Sequence, residues 1–289
     1  MKQVVVISGK GGTGKTSITA ALAGVGPQKV IADCDVDAAD LHLILDPKVK
    51  LREDFYSGQT ATINTEHCIE CGQCAEQCRF NAISVSFEIV KEKCEGCGLC
   101  EFICPTQAVS MTDRKCGHRF VSNTRFGTMV HAALGIGEEN SGKLVTAVRK
   151  TARELAEAEK AKLVLVDGSP GIGCPVIASL TDIDFCILVA EPTVSAVHDL
   201  KRVHELARHF EVPCTAILNK CGINESLENE IRKYCRENEI LILGEFPYDT
   251  TFSQAQIHGK TVAEFAPDTF GPTVRNIWSR MAKTLELPD

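Results

Sequence analysis

The feature that constrains the fold most is a glycine-rich loop near the start of the chain. Residues 9–16 match the pattern G-x-x-x-x-G-K-[ST]. The apolar, β-branched run at residues 4–7 predicts a buried parallel strand before the loop. An alanine-rich segment that reaches about Ala23 predicts a helix after it. Because a strand precedes the pattern and a helix follows it, a phosphate-binding loop is expected rather than a plain glycine turn.

The residues of this loop have separate expected tasks. Its glycines let backbone N–H groups close around phosphate oxygens, and the helix N-terminus adds the positive end of its dipole. Lys15 is expected to reach the β- and γ-phosphates of a nucleotide, and Thr16 to coordinate Mg²⁺. The expected nucleotide contacts in the loop are Gly11, Gly12, Thr13, Gly14, Lys15, Thr16 and Ser17.

Further apolar runs alternate with helical patterns along the chain. Strands are predicted at residues 30–32, 163–166, 185–190, 215–218 and 240–244. Helices with an apolar period of about 3.6 residues lie between them, and the helix around Leu227 is expected to be capped by Ser226. This alternation predicts an α/β fold with a mostly parallel P-loop sheet and helices on both of its faces.

Residues 61–113 interrupt the alternation and contain eight of the 15 cysteines. The spacing C-x₂-C-x₂-C-x₃-C starts at Cys68 and starts again at Cys94. Two such runs are typical of bacterial two-cluster ferredoxins, in which the fourth cysteine of each run binds the other cluster. Paired C-x₂-C motifs also bind zinc, so two zinc sites are the rival interpretation. The expected ligands are Cys68, Cys71, Cys74 and Cys104 for one 4Fe-4S cluster, and Cys94, Cys97, Cys100 and Cys78 for the other.

The composition indicates the cellular compartment and the kinds of partner that are expected for this chain. No apolar run approaches about 18 residues, the N-terminus lacks the pattern of a signal peptide and the cysteine count is odd, so a reducing, cytoplasmic location is expected. The net charge of −7, without a basic block, argues against nucleic acid as a partner. An apolar stripe near the C-terminus is expected to pack on the protein's own core rather than on a membrane. The stripe consists of Ile277, Trp278, Met281 and Leu285.

A second lysine, Lys10, gives the loop the sequence K-G-G-T-G-K-T. This sequence resembles the deviant Walker A motif of the MinD/Mrp/nitrogenase-iron-protein ATPases. In that family the additional lysine reaches the nucleotide that is bound to a dimer partner. The resemblance therefore implies a homodimer that encloses ATP and Mg²⁺ between its subunits, or a heterodimer with a paralogue.

Two further segments resemble the switch regions of the same family. Residues 32–37 resemble switch I, in which Asp35 would orient the attacking water. Residues 166–171 resemble Walker B and switch II. The resemblance implies that Asp167 holds Mg²⁺ through water and that the N–H of Gly168 senses the γ-phosphate.

The adenine site is implied by two segments later in the chain. Residues 217–220 resemble the strand end that recognises the base, with Asn219 on the adenine. Residues 246–249 resemble the loop that closes over the adenine and include Pro247.

The resemblance extends over the whole chain. It implies a MinD-like P-loop ATPase domain at residues 1–60 and 114–289, and an inserted two-cluster ferredoxin domain at residues 61–113. The resemblance implies that ATP hydrolysis is slow without a partner, as is usual for switch-type NTPases. The expected chemistry is positioning and charge stabilisation rather than covalent catalysis. The expected catalytic residues are Lys10, Lys15 and Asp35.

Three functions are compatible with this organisation. The favoured hypothesis is that ATP-driven changes of the dimer are coupled to electron transfer through the two clusters to a redox partner. The alternatives are an assembly factor or carrier for metal clusters, as Mrp-type relatives suggest, and a MinD-like positioning switch with a redox sensor. Cys34, Cys116 and Cys174 receive no assigned role.

Overall fold

The computed structural model describes residues 1–135, 138 and 141–287. The strands are β1 Lys2–Ser8, β2 Lys29–Asp33, β3 Lys48–Ile63, β4 Val109–Thr124, β5 Gly127–Leu134, β6 Leu163–Pro170, β7 Phe185–Ala190, β8 Cys214–Cys221 and β9 Leu241–Pro247. The helices are α1 Lys15–Ala23, α2 Leu41–Leu45, α3 Gln73–Glu76, α4 Leu99–Phe102, α5 Ser141–Ala158, α6 Cys174–Leu180, α7 Val194–His209, α8 Glu225–Glu237, α9 Thr251–Ile257, α10 Val262–Phe265 and α11 Gly271–Leu285.

The strands form one nine-stranded sheet in the order β3-β4-β5-β2-β6-β1-β7-β8-β9. From β5 to β9 every neighbouring pair is parallel. The central strands are buried along their length, as their β-branched, non-alternating sequences predict. The predicted α/β fold with a mostly parallel sheet is therefore confirmed.

The sheet brings three chemically important strand ends together. Strand β6 lies between β2 and β1, and Asp167 on β6 is in register with Asp33 on β2 and Val6 on β1. The loop after β1 leads directly into α1. Because the carboxyl ends of parallel strands meet at one edge, the loop and the aspartates of both segments lie close together there.

One prediction about local structure was wrong, and two strands were not predicted. The cap of α8 is Asn224, whose side-chain oxygen accepts a hydrogen bond from the N–H of Leu227 at 3.1 Å, and Ser226 lies inside the first turn. Strands β3 and β4, which flank the cysteine segment and are each 16 residues long, were not predicted. Most residues of β3 are exposed, so the strand lacks the apolar alternation from which a strand is predicted.

The chain divides into two compact units. The first comprises Met1–Glu53, Arg119–Ala133 and Ser141–Asp289, and the second comprises Asp54–His118 and Leu134–Asn140. The second unit contains residues 61–113, to which the ferredoxin-like insertion was assigned, together with parts of β3 and β4. Its apolar core is small and is formed by Ala61, Ala82, Cys94 and Val109.

The core of the first unit includes the C-terminal helix. All four residues of the predicted apolar stripe on α11 are buried in it, which confirms that this stripe packs on the protein's own core. Burial of each large side chain contributes about 1.5–3 kcal/mol. Among the helices that the structure describes, none combines the length and the apolar composition that crossing a bilayer requires.

A buried lysine, Lys29, joins α1 to α11 in this core. Its ammonium donates hydrogen bonds to the carbonyl oxygens of Ala23 at 3.1 Å and Val25 at 2.6 Å, and lies 4.9 Å from the centre of the Trp278 ring. The residue is only 2% exposed, and burial lowers the pKa of Lys29 to about 8 from its usual value of 10.5.

Replacing Lys29 by methionine is expected to change how stability depends on pH. Between about pH 8 and 10.5 the unfolded chain binds a proton at Lys29 that the folded protein has lost, so folding becomes more favourable as the pH rises. The free energy of unfolding of the wild type should therefore rise relative to that of Lys29→Met by about 1 kcal/mol per pH unit in this window. Urea unfolding at pH 7.5, 9 and 10 tests this, with Lys162→Met, on an exposed lysine, as the control. Parallel curves for the wild type and Lys29→Met would contradict it.

Candidate nucleotide site and cysteine cavities

The glycine-rich loop is held open by two glycines and braced by the end of β8. Gly12 and Gly14 have φ values of +80° and +88°, which glycine adopts readily, and a Cβ on Gly14 would collide with the amide of Asn219. The Asn219 amide donates to the carbonyl oxygen of Thr13 at 2.8 Å. The ammonium of Lys220 donates to the carbonyl oxygen of Gly12 at 2.6 Å. Asn219, which is predicted to lie on the adenine, therefore braces the loop in this structure.

Beneath the loop, Lys15 is buried between carboxylates. Its Nζ lies 2.9 Å from Oδ1 of Asp167 and 3.3 Å from Oδ2 of Asp35. The hydroxyl of Thr16 donates to Oδ2 of Asp167 at 2.8 Å, and that of Thr19 donates to Oδ1 at 2.8 Å. Asp167 is completely buried, so these contacts replace the water that its charge would otherwise require.

At this edge of the sheet three aspartates, Asp33, Asp35 and Asp167, lie near Lys15, so negative groups outnumber this positive one. Burial lowers the pKa of Lys15, but Asp167 and Asp35 outweigh it and raise that pKa, so the ammonium stays charged. Burial and then the neighbouring Asp167 hold the pKa of Asp33 well above its usual range. Burial also raises the pKa of Asp35, with Lys15 opposing. Oδ2 of Asp33 is buried and has no hydrogen-bond partner within the part of the chain that the structure describes.

Most of the predicted nucleotide-binding residues line one cavity of about 360 Å³. Those residues are Gly11, Gly12, Thr13, Gly14, Lys15, Thr16, Ser17, Asp35, Asn219 and Pro247. Asp167 does not line the cavity, and Gly168 packs so closely on β1 that a Cβ would meet Val5 and Ile7. Lys10 does not line the cavity and pairs with Glu191. The residues of the sequence motifs therefore meet at one cavity in the folded chain, but Lys10 lies outside it.

Helix α9 adds residues that the sequence did not indicate. Phe252 and Gln256 line the same cavity, and the amide of Gln256 donates to the hydroxyl of Ser17 at 2.7 Å. No motif covers this helix; the only available signal was its position directly after residues 246–249.

In the second unit, the eight motif cysteines line two cavities. The larger, of about 300 Å³, is lined by Cys78, Cys94, Cys97 and Cys100 and also by Cys74. The smaller is lined by Cys68, Cys71, Cys74 and Cys104. The smaller cavity therefore has three cysteines of the first run and the fourth of the second, and the larger has three cysteines of the second run with the third and fourth of the first. In the described residues, no three or more His, Cys, Asp or Glu side chains are grouped so that they could hold a metal ion.

The two cysteine runs have the same local backbone. Positive φ values recur at the paired positions Glu70 and Gly96, Gly72 and Gly98, and Asn81 and Gln107. The second run follows the first by 26 residues, and each pair has this separation. The sequence repeat is therefore also a structural repeat.

Backbone N–H groups point at several of the cysteine sulfurs. The N–H of Ala82 donates to Cys78 Sγ at 3.4 Å, and that of Ala108 donates to Cys104 Sγ at 3.2 Å, at equivalent places in the two runs. Burial opposes ionisation of Cys104, but hydrogen bonds from the backbone of Val109, Thr106 and Ala108 outweigh it and lower the pKa of its thiol. The donors to Cys104 therefore favour its thiolate.

One residue near the larger cavity was not indicated by the sequence. The guanidinium of Arg114 donates to the carbonyl oxygen of Cys94 at 3.0 Å and pairs with Glu138 at 2.8 Å. Arg114 lies outside the cysteine pattern, so spacing could not identify it.

The cysteines outside the two runs lie in varied surroundings. As expected for small apolar residues, Cys186 and Cys235 are buried in their strand and helix. Cys34 and Cys116 are also buried, whereas Cys174, at the start of α6, is exposed.

A parallel sheet that carries a glycine-rich loop, a buried lysine and two aspartates at its carboxyl edge defines a P-loop nucleotide-binding protein. Residues 4–262 match the model of the CobQ/CobB/MinD/ParA nucleotide binding domain family. The chain belongs to this family.

Individual proteins are also similar to all or part of this chain. The uncharacterised protein MJ0578 of Methanocaldococcus jannaschii is 37% identical over 225 residues, which are 77% of this chain and 79% of that protein. Pyruvate synthase subunit PorD of Methanothermobacter marburgensis is 34% identical over 53 residues, which are 18% of this chain and 65% of that subunit. The structure of the septum site-determining protein MinD of Pyrococcus horikoshii, complexed with Mg-ADP, has a TM-score of 0.59 and 17% identity, covering 98% of this chain and 97% of that one. The fold is thus MinD-like.

Proposed function

We propose that this chain is an ATP-binding, slowly ATP-hydrolysing protein that carries two 4Fe-4S clusters and couples nucleotide-driven changes of a dimer to electron transfer. The observation that carries this proposal is the crossed distribution of eight cysteines over two cavities. That distribution matches the ligand exchange of two-cluster ferredoxins, in which the fourth cysteine of each run serves the other cluster.

The cysteine cavities suit clusters better than single ions. A zinc ion needs all of its thiolates within about 2.3 Å of one point, whereas a four-iron cluster takes one thiolate at each of four separate irons. The backbone donors to Cys78 and Cys104 suit ligands that carry negative charge. The small apolar core of this unit also indicates that a bound group contributes to its stability.

The cavity at the loop suits a magnesium nucleotide. The Thr13 hydroxyl is buried without a hydrogen-bond partner in the described part of the chain, so a phosphate oxygen would satisfy it. The surplus of carboxylates suits a divalent cation, which Thr16 and Asp167 would hold and which would neutralise phosphate charge. Lys15 would bind the phosphates, and Asp35 would orient the attacking water.

Chain connectivity supports coupling between the two sites. The segment that contains Asp35 leads through α2 and β3 into the cysteine unit, and β4 and β5 follow that unit. We propose a homodimer, or a heterodimer with a paralogue, that enclosed nucleotide stabilises and that delivers electrons to a redox protein. Nucleic acid and membrane are not among the proposed partners.

The test is to measure both cluster potentials with and without a non-hydrolysable ATP analogue. The expected result is a shift of about 60 mV in at least one potential, which corresponds to a tenfold change for one electron, with ADP as the control. Unchanged potentials and unchanged electron transfer to an acceptor would contradict coupling. Transfer of clusters to an apo-protein would instead indicate an assembly factor or carrier.

A further inference from the structure

The side chain of Lys10 is fully engaged on its own chain. Its Nζ lies 2.8 Å from Oε1 of Glu191, 3.0 Å from the Thr193 hydroxyl and 3.0 Å from the Ser195 hydroxyl. These three residues belong to the turn after β7 and the first turn of α7. An ammonium has three N–H donors, so each of them has a partner here.

Glu191 also binds Lys220, which lines the nucleotide cavity. Its Oε2 lies 2.7 Å from Nζ of Lys220, which in turn donates to the carbonyl oxygen of Gly12. The carboxyl is 8% exposed. Burial opposes its ionisation, but the hydrogen bonds from Lys10 and Lys220 outweigh it and lower the pKa of Glu191. The carboxylate is therefore charged and competes effectively for Lys10.

We infer that Glu191 is a positioning residue that keeps Lys10 on its own subunit until nucleotide on the partner subunit competes for it, and so sets the threshold for ATP-driven dimerisation. The inference rests on the proposed nucleotide-enclosing dimer. Lys10 cannot serve a second subunit while its donors are occupied. Dimerisation therefore exchanges a carboxylate for a phosphate as the anion that binds this ammonium.

Lys220 makes the exchange feasible. A buried carboxylate that loses its only cation is strongly destabilised. Glu191 keeps its contact with Lys220 after Lys10 leaves, so its charge does not become uncompensated. The side chain of Lys10 is 29% exposed, which leaves it accessible to a second subunit.

The first test measures how fast the amine of Lys10 reacts in the nucleotide-free protein, which reports whether Glu191 holds it. Glu191→Gln keeps the size of the side chain but removes its charge and leaves one acceptor oxygen in place of the two that bind Lys10 and Lys220. Acetylation by acetic anhydride, followed by peptide mass spectrometry, should modify Lys10 about fivefold faster in this variant, while the rate at exposed Lys233 stays unchanged. Glu230→Gln, which breaks the exposed ion pair with Lys201, is the matched control and should leave Lys10 at the wild-type rate. Equal rates at Lys10 in the wild type and Glu191→Gln would overturn the inference.

The second test measures how tightly the subunits dimerise when nucleotide is bound. In sedimentation experiments with a non-hydrolysable ATP analogue, Glu191→Gln should dimerise at least about tenfold more tightly, because each dimer uses two Lys10 side chains. In a Lys10→Ala background the same substitution should have no effect on dimerisation. An equal effect in that background, or weaker nucleotide binding by the monomer, would show that Glu191 only braces the loop and would overturn the inference. If Lys10 is modified faster but neither protein dimerises, the proposed dimer itself fails, and the threshold with it.

Discussion

Replacing Lys15 by alanine is expected to abolish ATP turnover and to lower the melting temperature of the nucleotide-free protein by about 10 °C. Lys15 is the cation within 3.3 Å of both Asp35 and Asp167. Its removal leaves two buried carboxylates without that partner, which costs about 3–5 kcal/mol. Phosphate release and thermal unfolding at pH 8 measure the two effects.

The loss of stability in Lys15→Ala should depend on pH. Without the lysine, which opposes the upward shift, the folded-state pKa values of Asp33 and Asp35 rise further above their unfolded values, so more stability is lost as the pH rises through them. The variant should therefore be destabilised less at pH 5 than at pH 8. Lys201→Ala, which removes an exposed ion pair with Glu230, is the control and should behave like the wild type in both assays. Turnover by Lys15→Ala within about tenfold of the wild type would contradict the proposed role of Lys15.

Replacing Cys97 by alanine is expected to reduce the iron content from about eight to about four atoms per chain. Cys97 lines the larger cavity and not the smaller one, so its loss should remove one cluster and spare the other. Cys71→Ala should produce the complementary loss at the smaller cavity. Anaerobic iron and sulfide analysis, with EPR spectra of the reduced protein, distinguishes the two clusters.

Cys174→Ala is the control for both cysteine variants, because Cys174 is exposed and lies outside both runs. It should retain about eight irons. About two zinc ions per chain in the wild type would contradict the cluster assignment and support the zinc interpretation. About ten irons, with a loss in Cys174→Ala, would indicate a further cluster shared between subunits.

Much of the nucleotide site was predictable because its residues follow strands. Lys15 and Asp167 stand at fixed offsets from apolar runs, and parallel strands bring such ends to one edge. The α/β fold followed from the same alternation and is confirmed. The contribution of Gln256 was not predictable, because α9 reaches the cavity only through the packing of the C-terminal part of the chain.

The N-cap of α8 shows that residue propensities alone do not fix where a helix begins. Ser226 and Asn224 are both suitable capping residues two positions apart, and propensity alone does not separate them. The folded chain starts the helix at Glu225 and thereby selects Asn224.

Local patterns in the sequence were sufficient for the loop and for the grouping of the cysteines. Glycine conformations and cysteine spacing involve only a few neighbouring residues, so they can be recognised directly in the sequence. The position of Lys10 could be decided only by the tertiary structure. Its partner Glu191 stands at the end of β7, far away in sequence, and meets Lys10 only because β7 pairs with β1. Ion pairs between distant residues depend on strand order, which no local pattern encodes.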